Sequence, residues 1–229
     1  MSQPDLAGRL NRLKALEQEI LEASARSIGH EAAICQTDLF LLGALRRTLA
    51  QSRGFRDLMT ARNFPCAAAI LRLQIDTAMR VNALTLVDDV EQTCGAVLRG
   101  DQFNRLKDRS RTKMSDAHLR RKLAGNYPWT STVYEQTSGF VHLSDRHFLS
   151  SIAGMDEANR SVRFQIGGED PPRPDADYFE VVDAFTEATS LAGKLIVGIL
   201  MFIHGRTGGA NATTTERQQD LPPSDEPAE

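Results

Sequence analysis

The sequence predicts an all-α fold on three observations. Hydrophobic residues make up 41% of the chain but aromatic ones only 6%, so the core must come mainly from Leu, Ile, Val, Ala and Met, a mixture that favours helices. The nine prolines stand at 4, 65, 128, 171, 172, 174, 222, 223 and 227, leaving 5–64 and 66–127 free of them. Apolar residues recur in these stretches at spacings of three and four. At 229 residues the chain suits one large or two small domains. We expect one helical domain over 1–204, a bundle of about five to seven helices with one inserted β-hairpin. It divides into an N-terminal helix pair, 1–61, and a core, 62–204.

The elements follow in order. Leu6, Leu10, Leu13, Leu16 and Ile20, with Arg9, Arg12, Lys14, Glu17 and Glu19 between them, predict an amphipathic helix. A second is expected from about Glu31 to Ala61 with Leu39, Leu42, Leu45 and Leu49 as its apolar stripe. Pro65 suits the first turn of a third, where its missing N–H is no loss. From Cys66 to about Leu86 that helix is apolar on nearly every side, as a central helix should be. Asp88 is the expected cap of a short helix reaching Leu98 and ended by Gly100. Ser115 or Asp116 caps the next, to about Leu123, and Thr130 one reaching about His142. The period then changes to two. Phe148, Ser150 and Ile152, then Val162, Phe164 and Ile166, alternate around the turn-rich MDEANR, predicting a hairpin over about 147–167. Tyr178 to His204 reads as the last helix, with Phe179, Val182, Phe185, Ala188 and Leu191 in its stripe. Composition predicts disorder over 205–229.

That tail holds five of the 30 acidic residues and two of the 27 basic ones, so the body carries 25 of each and is neutral. Neutrality excludes a bulk polycation, although 99–122 concentrates nine basic residues against three acidic ones. Cys35, Cys66 and Cys94 form no CxxC pair, fit neither a disulfide scaffold nor a zinc site, and read as buried small hydrophobes. The N-terminus lacks the apolar run of a secretory signal. The most apolar stretch, Leu195 to Ile203, spans nine residues where a membrane helix needs about 20. A cytoplasmic protein is expected, with no membrane, metal or cofactor. GxxxxGK[ST], GxGxxG, GxSxG and HExxH are all absent.

Two polar ladders interrupt otherwise apolar helices: Arg72, Asp76 and Arg80, and Tyr134, Ser138 and His142, each spaced i, i+4, i+8. Packed face to face, they would form a network in which the arginines bind an anion while His142 moves a proton. Equally, the same groups can satisfy one another and fix helix register. His147, beside Arg146, is either a further member of the cleft or an exposed residue at the hairpin entry. The basic segment 99–122 either contacts phosphates or is a solvated face.

These residues carry a resemblance. ARNFPCAAAILRLQIDTAMR followed by YEQTSGFVHLSDRHF resembles bacterial domain-of-unknown-function families with an RN…LR…E helix and a YxxxSxxVHxS segment. Those families are similar to the all-helical HEPN superfamily. The matching positions are Arg62, Asn63 and Arg72, then Tyr134, Ser138, Val141, His142 and Ser144. The resemblance implies a HEPN-like core, a homodimer and a stress or defence effector that binds RNA or a nucleotide. Its catalytic residues would be His142, Arg72 and Arg80, with Arg62, Asn63, Asp76, Tyr134, Ser138, Ser144 and His147 binding. HEPN ribonucleases use an R-x(4–6)-H pair on one helix, and no arginine stands at that distance before His142. Arg111 and His118 have the spacing but sit in the basic segment, so a degenerate ribonuclease, or a non-catalytic homodimeric interaction module with structural ladders, fits as well.

Overall fold

The computed structural model describes residues 5–28 and 33–216, with side chains to Gly205. Eight α-helices and one hairpin run in the order α1 (Leu6–Ile28), α2 (Gln36–Thr60), α3 (Phe64–Ala83), α4 (Val90–Leu98), α5 (Asp116–Asn126), α6 (Trp129–Ser138), α7 (Asp145–Ser150), β1 (Ile152–Asp156), β2 (Ser161–Phe164) and α8 (Asp175–Glu216). The all-α expectation holds, with one helix more than the upper expected number.

α8 is the axis of the bundle. It packs against α1, α2 and α3, while α4 leans on α2, and α5 and α6 lean on α3. Tyr178, Val182, Phe185, Ala188, Ile196 and Leu200 of α8 are buried, and the Phe185 ring stacks on Phe55 of α2 at 3.8 Å. By length and composition α8, over Asp175–Gly205, is the one described helix able to cross a membrane, and 39% of its apolar window is buried inside the bundle. The tail expectation is corrected in part, because α8 continues through 205–216; 217–229 lie outside the described residues, as do Glu31 and Ala32 at the expected start of α2.

Helix ends follow local chemistry. Asn63 caps α3, accepting from the Cys66 N–H, with Pro65 in the first turn. Asp89 rather than Asp88 caps α4. The start of α2 is capped from a distance, as Glu91 accepts from the N–H groups of Gln36 and Thr37 and from the Thr37 hydroxyl. Gly100 follows α4 at φ +104°, a conformation that costs glycine little.

Three expectations fail here. The buried face of α2 is Leu41, Leu45, Thr48, Ser52, Phe55 and Met59, whereas Leu39 and Leu42 face out. α6 ends at Ser138, so His142 falls in a turn beyond it. The hairpin is shorter than expected: Phe148 and Ser150 belong to α7, and the strands pair Ile152 with Phe164, Met155 with Val162 and Asp156 with Ser161.

Candidate functional site

The ladder on α3 forms as its spacing requires. Asp76 Oδ1 lies 3.7 Å from Arg72 and 3.4 Å from Arg80, and Arg80 reaches on to Asp116 of α5 at 3.2 Å. The Arg72 guanidinium stacks on the Tyr134 ring of α6 at 3.4 Å. Arg120 approaches the same ring at 5.1 Å while pairing with Glu135 at 3.0 Å. Tyr134 therefore sits among two guanidinium groups, an arrangement in which the ring quadrupole offsets their lost hydration. Arg72 and Asp76 are largely buried and Arg80 half-buried.

The second ladder is broken, and the reason is local. Gly139 ends α6, where a side chain would meet Arg146 and Ser144. The Ser138 hydroxyl donates to the Tyr134 carbonyl of its own helix at 2.5 Å. Ser144 donates to the Gly139 carbonyl at 2.8 Å and caps α7, and its own N–H is 3.5 Å from His147 Nδ1. His147 also packs on Phe140. Ser144 and His147 are thus helix-capping residues, and His142 stands exposed in the turn that precedes them. Arg62 and Asn63 form the α2–α3 corner. Arg62 has φ +53°, stacks over Tyr178 at 4.4 Å and pairs with Asp175 at 2.7 Å. Of the ten residues expected to form one site, the structure brings together Arg72, Asp76, Arg80 and Tyr134.

Beside Arg80 a cavity of about 910 Å³ opens among α2, α3, α4 and the start of α5. Its walls are apolar, with Leu39, Phe40, Val81, Val97, Leu98 and Phe103 among them. Its charged lining is two arginines, Arg47 and Arg80, against three aspartates, Asp76, Asp101 and Asp116. That balance disfavours a phosphate-rich ligand inside the cavity.

Two buried imidazole–carboxylate pairs were not expected. His118 Nε2 lies 2.8 Å from Asp108, and His204 Nε2 lies 2.9 Å from Asp38. Burial alone pushes the Asp108 carboxyl up, but hydrogen bonds from the Thr112 N–H, His118 and the Ser110 N–H outweigh it and hold it below the usual carboxylate range. His118 thus turns inward while Arg111, at φ +62°, is exposed on the loop. The cysteine expectation holds for Cys94, whose thiol burial pushes up to about 11; Cys66 is exposed and Cys35 half-buried. Among the described residues no three His, Cys, Asp or Glu side chains converge as a metal-binding group. Comparison with protein-family models, with curated proteins and with solved structures finds no match to the chain.

Proposed function

We propose that the chain is a non-catalytic helical binding module in which the polar ladder holds the bundle together. One observation carries this reading: the arginines are engaged with Asp76, Asp116 and Tyr134, while the imidazole that would move a proton, His142, lies outside that network in an exposed turn. Metal-independent RNA cleavage requires a base within hydrogen-bond reach of the reacting group. The test is to incubate the wild-type chain and His142→Ala with a mixed RNA pool. Neither should cleave it, and cleavage lost on substitution overturns the reading.

A HEPN-like binder of RNA or a nucleotide is the second reading, and the loop before α5 favours it. Arg105, Lys107, Arg111 and Lys113 are exposed there, and Lys107 bridges to Lys113. The intervening acid, Asp108, is turned inward on His118, so the loop surface is cationic. Replacing Lys107, Arg111 and Lys113 by Ala together should then remove RNA binding that weakens steeply with salt.

A further inference from the structure

The segment from Val141 to Ile166 is built unlike the rest of the chain. Eight of the sixteen exposed large hydrophobic residues described lie within it, with Leu143 94% and Ile166 87% exposed. α7 has no buried residue, and β2 is exposed along its length. Phe148 and Phe164 meet at 5.6 Å, a small cluster with water around it. Among the described residues β1 and β2 pair only with each other, so each has an edge that no described strand pairs. A two-stranded hairpin is marginal by itself in water, and a bare edge is a template for a further strand.

We infer that this lobe is a homodimerisation element, in which β2 of one copy pairs antiparallel with β2 of a second copy across a two-fold axis. The inference names a partner for the binding-module reading and rests on it. Two observations choose a second copy. The first is area: at roughly 150–200 Å² for each large residue, the eight exposed fractions of the lobe sum to about 900 Å², so a two-fold contact that covered them would approach the roughly 800 Å² per partner of a stable interface.

The second is charge. Arg146, Arg160 and Arg163 are balanced by Asp145, Asp156 and Glu157, so the segment is neutral. It offers no cationic surplus to an anionic membrane or to RNA. A neutral patch can be its own complement, as a two-fold interface demands. Charge also selects the register. Centred on Arg163, the paired strands would oppose two arginines; centred on Val162, they set Arg163 against Ser161, with no like charges facing.

Sedimentation velocity on the full chain over a wide concentration range tests the inference. The wild type should be dimeric at micromolar concentration. Val162→Lys, at an exposed position, should weaken the dimer at least tenfold, with helical content unchanged and, at concentrations where both chains are monomeric, thermal midpoint unchanged. V162C in a C66S background should form a disulfide-linked dimer under mild oxidation, while C66S alone should not. A wild-type monomer at all concentrations overturns the inference, as does a dimer that Val162→Lys leaves intact. Binding of the monomer to neutral phosphatidylcholine vesicles, abolished by Val162→Lys, assigns the patch to a membrane and overturns it too. A monomer would leave the binding-module reading standing, whereas cleavage dependent on His142 would remove that reading and leave the dimer.

Discussion

The chain uses the same residue types in two regions to different ends. In the helical body, Phe55 and Phe185 stack at 3.8 Å and neither is reached by solvent. In the lobe of α7 and the hairpin, Phe148 and Phe164 lie 5.6 Å apart and both are about half exposed. Apolar content therefore does not locate the core; removal from water does. The aromatic pair of the body leaves water when one chain folds, and the pair of the lobe stays in contact with water.

The largest difference should appear on truncating one ring in each region. Phe185→Ala removes a fully buried ring from a close-packed site, and the expected loss is about 3–5 kcal/mol by denaturant unfolding. Phe148→Ala removes a ring still surrounded by water and should stay within roughly 0.5 kcal/mol at concentrations where the chain is monomeric. Comparable losses from the two would show that the lobe belongs to the core.

The same contrast explains what was legible in the sequence. α3 was readable because Pro65 fixed its start and its apolar character ran on all sides, which made the three charges of its ladder conspicuous. α2 was readable as a helix but not in its facing, because Thr48 and Ser52 occupy buried positions that a search for leucines passes over. Ser52 is tolerated there by a 2.6 Å hydrogen bond to Glu17 of α1, a partner 35 positions away. The pair His204–Asp38 was illegible for the same reason, joining residues 166 apart, whereas Asp108 and His118, ten apart, meet because the loop turns Asp108 back onto α5. In the lobe the difficulty was length. α7 has six residues, too few for a helical period to declare itself against the alternation that runs into β1. The stop at Gly139 was the missed signal for His142, since glycine after a helical run is a common terminator.

Close backbone approaches give a smaller effect with the same division. A methyl group added at Gly193 of α8 would stand 2.5 Å from the side chain of Ile20, which is buried in α1. Gly193→Ala should therefore cost about 1–3 kcal/mol, because the two helices must separate to admit it. At Gly154 of β1 the obstruction is the guanidinium end of Arg163, 2.9 Å away. That end can swing into water, so Gly154→Ala should leave thermal stability nearly unchanged. A large loss at Gly154 would mean that the hairpin backbone is as tightly held as the bundle.

Acid sensitivity separates the regions with the least perturbation. Burial would push the Asp38 carboxyl up, but hydrogen bonds from Cys35 and the nearby His204 more than offset it, so its pKa lies below the ordinary value. A carboxylate lowered in the fold adds stability above its unfolded pKa of about 4 and loses that contribution as pH falls through the native value. In the lobe, Asp156 is lowered by the side-chain and backbone amides of Asn159, within an exposed turn. Stability, followed by far-ultraviolet circular dichroism, should thus fall as pH drops below about 4, and Asp38→Asn should flatten that decline. Asp156→Asn should leave it as it is, because protonating a turn that can open locally does not charge its energy to the bundle. If Asp156→Asn flattens the acid limb as much as Asp38→Asn, hairpin and helices unfold as one unit. The lobe would then be part of the folded body in one chain, and its exposed apolar surface would need a reason other than the stability of a second region.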